Sequence, residues 1–513
     1  MSAGPMTRRS LLAASAGAIA GGILRPGATL ALLSGPPRPT VWERRLGGLA
    51  ASGARIELGR SADLVGVQWA APAGAGVWVR FRSPRGGWSR WVSAGAHGHG
   101  PDGPSPDGSM IGDPVWTGGA TAVQVRANRL LSGVRLHLVD VSDGVGARLA
   151  ATRSPLAMAA ALPLATPVLA AGPGQPPIIA RRAWAQGIAP PRVSPGYGAV
   201  RMAFVHHTEN PNGYAAAEVP AMLRAIYAYH RFARGWNDIG YNFVVDLYGR
   251  IFEARAGGID EPVVGAQAGG YNLASTGVAV LGSFMETPIS PAARNALERL
   301  LAWKLSLHGL PAMGRVTVRV NPAGAPFSKF PANANVSLAR ISGHRDADST
   351  DCPGNALYGE LATIRGRVRR LAGRPARATL TLLPAAAPAA SGPGVPAAVG
   401  GARTLAGTLE LLDGTPVGGA PIAVQARRVS AKGLVVSERT LAESSTDPLG
   451  RWSLALSVVA SRAGTWLRVL STGAPGTCVS EPLYVPGTVL LSAPPPAPSA
   501  PAPTPPAAPP PAT

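Results

Sequence analysis

Three side chains set the chemical question. Phe204-Val205-His206-His207-Thr208 puts a histidine pair at the end of an apolar run, and Gly343-His344-Arg345-Asp346-Ala347-Asp348-Ser349-Thr350-Asp351-Cys352-Pro353-Gly354 holds His344 and Cys352 in a polar, loop-like stretch. A neutral imidazole and a thiolate are both good zinc ligands, and three protein donors with a fourth position left for water define a catalytic rather than a structural site. His206, His344 and Cys352 would make such a set, but their spacing alone leaves ordinary core and loop roles open. Five of the 8 histidines and one of the 2 cysteines fall between Ile178 and Leu371, so that region is where chemistry is to be sought. With 2 cysteines at most one disulfide can form, which excludes a disulfide-built scaffold.

These residues need elements to hold them. Val219, Met222, Leu223, Ile226 and His230 recur at helical spacing and predict a helix with one apolar stripe. Ser290 followed by Pro291 reads as an N-cap and first-turn proline, with Leu297, Leu300, Leu301 and Leu305 on the inward face. Short apolar strands are expected at Met202 to Val205, Asn242 to Asp246 and Gly277 to Leu281. Strands alternating with helices predict an α/β layer, a mixed central sheet with flanking helices, in which open strand ends commonly form sites.

The chain has 513 residues, about three domains' worth, and its 64 glycines and 52 prolines crowd partly into linkers. Period-two alternation such as Val77, Val79 and Phe81 against Trp78, Arg80 and Arg82 predicts an N-terminal all-β domain over 36–141. An Ala/Pro/Gly linker is expected over 142–175, the α/β domain over 176–373, and a second linker over 374–398. Alternating runs at Ile422 to Ala426, Trp452 to Leu456 and Trp466 to Leu470 predict an immunoglobulin-like β-sandwich over 399–487, followed by a Pro/Ala-rich tail over 488–513. Thr7-Arg8-Arg9-Ser10-Leu11-Leu12 ahead of a mild apolar run resembles a twin-arginine export signal, assigned to 1–35; export would leave the protein in the cell wall or outside the cell. No other apolar run is long enough to predict a transmembrane helix. The net charge of +21 comes almost wholly from arginines spread over every module, the lysines being only Lys304, Lys329 and Lys432. That dispersion argues for a solvated basic surface and against a nucleic-acid partner.

Several motifs in order carry a family resemblance across the middle domain. They are Ile178-Ile179-Ala180-Arg181-Arg182-Ala183-Trp184, the His206-His207-Thr208 strand end, Arg234-Gly235-Trp236-Asn237-Asp238-Ile239-Gly240-Tyr241-Asn242-Phe243 and Gly249-Arg250-Ile251-Phe252-Glu253-Ala254-Arg255. Gly265-Ala266-Gln267, Asn272, Gly277-Val278-Ala279-Val280-Leu281-Gly282 and the two halves of the His344/Cys352 stretch complete the succession. It resembles the peptidoglycan recognition proteins and type 2 N-acetylmuramoyl-L-alanine amidases. The resemblance implies an amidase domain with Zn2+ held by His206, His344 and Cys352, and Tyr241 and Thr350 as catalytic partners of the zinc-bound water. It also implies cleavage of the bond between the lactyl group of N-acetylmuramic acid and L-alanine. Members that only bind peptidoglycan typically lack the cysteine, which this chain keeps.

Gly235 and Trp236 are the implied substrate-binding pair, going with meso-diaminopimelate stems in the resembling proteins, although Trp236 could equally pack under the strand. Arg255 is a candidate partner for the diaminopimelate carboxylate, and His207, beside a ligand, a candidate substrate contact. His207, His230 and His308 also read as structural residues, and Cys478 as a thiol without a disulfide partner. The family often has a histidine where Gln267 stands, which leaves that side chain without an expected role. The rival to an enzyme is a peptidoglycan-binding wall protein that does not cut.

Overall fold

The structure is a computed structural model that describes residues 38–70, 75–84, 86–95, 109–141, 174–372, 375–383, 402–429, 435–459, 465–472, 478–480, 482–485 and 488–491. The export segment over 1–35, nearly all of the linker over 142–175 and the tail beyond residue 491 lie outside the described residues.

Period-two alternation builds the N-terminal sheet from β1 (Thr40–Leu49), β2 (Ala54–Trp69), β3 (Val77–Arg82), β4 (Val92–Ser93), β5 (Met110–Ile111), β6 (Val115–Ala127) and β7 (Leu131–Asp140). The order is β1-β7-β2-β6-β3-β4, with β5 pairing β2. Val77, Val79 and Phe81 enter a core with Val65, Val67 and Leu136. On β2 the neighbouring Leu64 belongs instead to a cluster with Trp116, Val139, Met222 and Ile226, which ties this sheet to the next domain.

In the middle domain, β8 (Ile178–Ile179), β9 (Met202–His207), β10 (Phe243–Val245), β11 (Ile251–Glu253), β12 (Ser275–Val280) and β15 (Ile341–Gly343) form one sheet in the order β15-β9-β12-β10-β11-β8. All neighbours run parallel except β10 and β11. Burial on both faces explains why β9 reads as a continuous apolar run instead of an alternation. Ala203 and Val205 face α2 (Pro291–Leu307) and α3 (Asn355–Ala372), packing with Leu297, Leu301 and Leu361. The other side of the sheet, through Val244 and Ala279, meets α1 (Val219–Ala228) at Met222, Leu223 and Ile226. The Ser290 hydroxyl accepts from the Ala293 N–H at 3.1 Å, so α2 begins where the N-cap reading put it. A separate hairpin, β13 (Arg315–Arg319) and β14 (Asn335–Ala339), leads into β15.

The C-terminal part holds β16 (Ala376–Ala378), β17 (Thr381–Leu383), β18 (Ala402–Leu411), β19 (Pro421–Val429), β20 (Val435–Ser445), β21 (Arg451–Val459), β22 (Thr465–Ser471), β23 (Cys478–Val479), β24 (Leu483–Val485) and β25 (Thr488–Leu491). They form two five-stranded sheets, β16-β18-β21-β25 with β17 on β18, and β20-β19-β22-β23 with β24 on β22. Two boundaries expected from the sequence are corrected. Ala376–Leu383, read as linker, supplies two strands to β18, and Thr488–Leu491, read as tail, pairs with β21. Both are three- or four-residue pieces beside Pro-rich sequence, too short for an alternation to register. Cys478 opens a strand instead of lying in a loop, and both cysteines are buried and free of disulfide. No helix of the described residues is long and apolar enough to cross a membrane.

Candidate metal centre

The donors meet because β15 lies beside β9. Gly343 pairs with Val205 in parallel register, so His344 leaves the sheet next to His206, with ring centroids 4.7 Å apart. Only glycine fits at that exit, since a Cβ on Gly343 would fall 2.8 Å from Tyr358 and 2.9 Å from Pro353. The chain then turns through His344–Asp346 and returns, and the Arg345 N–H donates to the Cys352 carbonyl at 2.9 Å, which pins the return. Cys352 Sγ accepts from the His207 N–H at 3.4 Å and lies 3.6 Å from His206 Nδ1. His206, His344 and Cys352 are 0%, 0% and 1% exposed. One ligand atom from each lies within 4.8 Å of the others.

Two further side chains orient the imidazoles. His344 Nε2 donates to Asp348 Oδ2 at 2.8 Å, and His206 Nε2 donates to the Gln267 side-chain oxygen. Gln267 is fixed in turn, its amide donating to Ser275 Oγ at 2.9 Å and its backbone N–H to Asn272 Oδ1 at 2.8 Å. With both Nε2 atoms committed, Nδ1 is the remaining donor of each ring, the arrangement that metal-ligating histidines need to fix their tautomer. A sulfur and two imidazole nitrogens so arranged fit a zinc ion. Burial pushes the Cys352 thiol well above its usual range, and the Asp113 and Glu209 carboxylates add to that. A divalent cation would reverse the balance by stabilising the thiolate.

The other expected residues divide. Tyr241 is 4% exposed with its ring 5.5 Å from that of His206, and burial holds its phenol well above the usual range, Asp113 and Cys352 contributing. Thr350 Oγ1 accepts from the Cys352 N–H at 3.0 Å, which leaves the hydroxyl proton to donate elsewhere. Gly235 takes φ of +70°, turning the chain after the helix. Trp236 is buried, its ring 4.5 Å from that of His230 and under the Arg234 guanidinium at 4.9 Å. Arg255 donates to the Ile239 carbonyl at 2.8 Å. The His207 ring is held within the protein, Nδ1 accepting from the Phe284 N–H at 3.3 Å and Nε2 lying 2.8 Å from Glu209 Oε1. His230 is a core residue whose Nδ1 accepts from the Gly240 N–H at 3.2 Å.

Sequence reasoning missed Asp348, although it stands one turn beyond His344, and gave no role to Gln267. It also had no signal for the N-terminal domain's reach. Trp116 N–H donates to Asn210 Oδ1 at 2.7 Å, Tyr229 Oη to the Gly112 carbonyl at 2.8 Å, and Arg234 lies 3.2 Å from Asp113.

Fold and centre together define an α/β domain carrying a buried His-His-Cys site fit for a metal. Residues 196–355 match the family described as N-acetylmuramoyl-L-alanine amidase, and residues 45–157 match one described as Rv3811 N-terminal galactose-binding domain-like. Peptidoglycan-recognition protein SC2 of Drosophila simulans is 30% identical over 161 residues, 31% of this chain and 72% of that protein. The human N-acetylmuramoyl-L-alanine amidase is 30% identical over 209 residues, 40% of this chain and 31% of that protein. The solved Drosophila peptidoglycan recognition protein SA is 27% identical with a TM-score of 0.28, covering 36% of this chain and 91% of that one. The chain belongs, through its middle domain, to the family of peptidoglycan-recognition proteins and N-acetylmuramoyl-L-alanine amidases.

Proposed function

We propose that the protein is an exported, zinc-dependent N-acetylmuramoyl-L-alanine amidase that hydrolyses the lactyl-amide bond between N-acetylmuramic acid and L-alanine in peptidoglycan. The observation that carries this is the convergence of His206, His344 and Cys352 within 4.8 Å, each imidazole backed by its own acceptor. Zinc bound there supplies Lewis acidity and a water whose pKa falls towards about 7. The chain's own residues do the rest. Tyr241, kept protonated by burial, donates a hydrogen bond at the reacting oxygen or passes its proton towards the leaving amine. Thr350, whose oxygen is turned by the Cys352 N–H, donates to the developing oxyanion. Asp348 and Gln267 hold the two rings in the tautomer that presents Nδ1.

Gly235-Trp236 supports stems of the meso-diaminopimelate type, with Arg255 keeping N–H groups for the second carboxylate beyond the one given to Ile239. The burial of Trp236 against His230 favours a floor-forming role over direct contact. The Arg8-Arg9 pair supports export to the wall or medium, and the two C-terminal sheets sharing one core support the immunoglobulin-like reading.

The test is release of stem peptide from purified muropeptides, followed by mass spectrometry, with and without a chelator. Release that stops with chelator and returns with zinc is expected. Zinc-loaded protein that binds muropeptide and releases nothing would make this a wall-binding protein instead.

A further inference from the structure

The N-terminal sheet and the middle domain leave between them a cleft of about 820 Å³. On β3, Val77 and Val79 fill the core, Phe81 packs on that core and also borders the cleft, and half-buried Trp78 lines it. Trp78 and Trp91 both line the cleft. Each is half-buried, and their planes are held by arginines, Arg126 at 5.3 Å from the Trp78 ring and 4.4 Å from Trp91, with Arg80 at 4.9 Å from Trp91. Indoles so fixed lose little freedom on meeting a ligand.

The opposite wall comes from the middle domain: Asn212, whose amide is bonded to the Ser283 backbone at 2.8 Å on both sides, Ser283, whose hydroxyl donates to Glu209 at 3.3 Å, and Thr287. Buried Glu209 and exposed Asp351 also line it. Asp351 directly precedes Cys352, and Glu209 lies 2.8 Å from the ring of His207, the neighbour of His206. The cleft therefore borders residues close in sequence to the metal-binding side chains, with indoles on one wall and polar side chains on the other. That combination suits a pyranose ring, whose C–H face needs an apolar plane and whose hydroxyl and N-acetyl groups need hydrogen-bond partners. It suits a free anion poorly, because Glu209, Glu286 and Asp351 outnumber Arg90 among the charged lining residues.

We propose that this interdomain cleft is a subsite for the glycan strand, with N-acetylated sugar rings lying against Trp78 and Trp91. The N-terminal domain would thereby direct the enzyme to polymeric wall in preference to single-sugar fragments. The inference deepens the amidase reading and rests on it for the direction of the strand, since the scissile bond has the sugar on one side and the stem peptide on the other.

The experiment uses the full-length protein and glycan strands stripped of stem peptide, which hold no scissile bond, with binding measured by calorimetry and free stem peptide as a second arm. Stripped strands should bind, and Trp78→Ala and Trp91→Ala should each weaken them about tenfold. Trp91→Tyr should restore most of the affinity, and Thr287→Trp, which narrows the cleft from the other wall, should weaken binding without altering the β domain. In turnover, the preference for strands over a single-sugar muropeptide should fall with the same variants. Equal binding of stripped strands by all variants would overturn the subsite even if stem peptide is still released. Loss confined to free stem peptide would assign the cleft to the peptide and overturn it equally. Absence of release with tryptophan-dependent strand binding intact would sink the amidase reading and leave the subsite standing.

Discussion

Two polar clusters, one where the C-terminal sheets dock and one at the end of β9, are built on different terms. Where the C-terminal sheets dock, Arg427 reaches Asp260 at 3.0 Å, Glu261 at 2.7 Å and Glu438 at 2.5 Å, and Arg468 reaches Glu261 at 3.3 Å, Glu438 at 3.4 Å and Gln425 at 2.8 Å. Lys304 adds a third cation, donating to the carbonyls of Ile259 and Glu261 at 2.7 and 2.8 Å. Below about pH 7, where Lys304 keeps its proton, three cations face three carboxylates and charge closes within the protein. At the end of β9, by contrast, a sulfur and two imidazoles converge with the carboxylates of Asp348, Glu209 and Asp113 behind or beside them. The first cluster is complete as a clamp; the second is an assembly of electron-pair donors whose chemistry calls for a cation.

That contrast predicts opposite responses to substitution. Cys352→Ser should lower stem-peptide release by on the order of a thousandfold or more, and zinc content with it, while the denaturant midpoint stays near that of the native chain. Undiminished release would remove the cysteine from the centre. Arg427→Met should do the reverse. Leaving Asp260 and Glu261 to Arg468 and Lys304 alone costs about 1 to 3 kcal/mol, read from urea unfolding, whereas turnover per folded molecule is retained. Asp348→Asn sits between, with metal affinity or activity down roughly 10- to 100-fold because the His344 tautomer is no longer fixed. An Asp348 variant that lost stability but no activity would place that carboxylate with the clamp.

The smallest effect separates the clusters by pH. Burial pushes Lys304 down to about 7, against the pull of Asp260 and Glu261. Between about pH 7 and its ordinary 10.5 the unfolded lysine keeps a proton that the native one releases, so stability rises with pH across that window and is flat below it. Relative to Lys304→Met, the native chain should gain up to about 1.4 kcal/mol per pH unit over pH 7 to 10. A difference that does not change with pH would mean that the buried ammonium keeps its charge.

How much of this was legible follows from how each feature is written in the chain. Ser290-Pro291 and the stripe of Met222, Leu223 and Ile226 are local signals, and α2 and α1 stand where they point. The strand at Met202 was visible because it is apolar on both faces, while β8, β11 and β15, two or three residues each, are too short to carry a period. His206, His344 and Cys352 were picked out by residue type, but their convergence depends on the parallel pairing of β15 with β9, which no local pattern encodes. The same holds for Gln267, which reaches His206 from a loop 61 residues away, and for Arg427, an ordinary member of an alternating strand until Asp260 is brought against it. The modules read as separated by linkers, yet both flanking domains pack directly on the middle one through Trp116 with Asn210 and Tyr197 with Trp466.

The central claim is that one divalent ion is held jointly by a sulfur and two imidazoles. X-ray absorption at the zinc edge of the purified full-length protein, with metal content measured on the same sample, tests it most directly. The account predicts one zinc per chain with a single sulfur and two imidazole neighbours, the sulfur contribution vanishing in Cys352→Ser. A stoichiometric metal with no sulfur neighbour, or full stem-peptide release from protein free of metal, would contradict it.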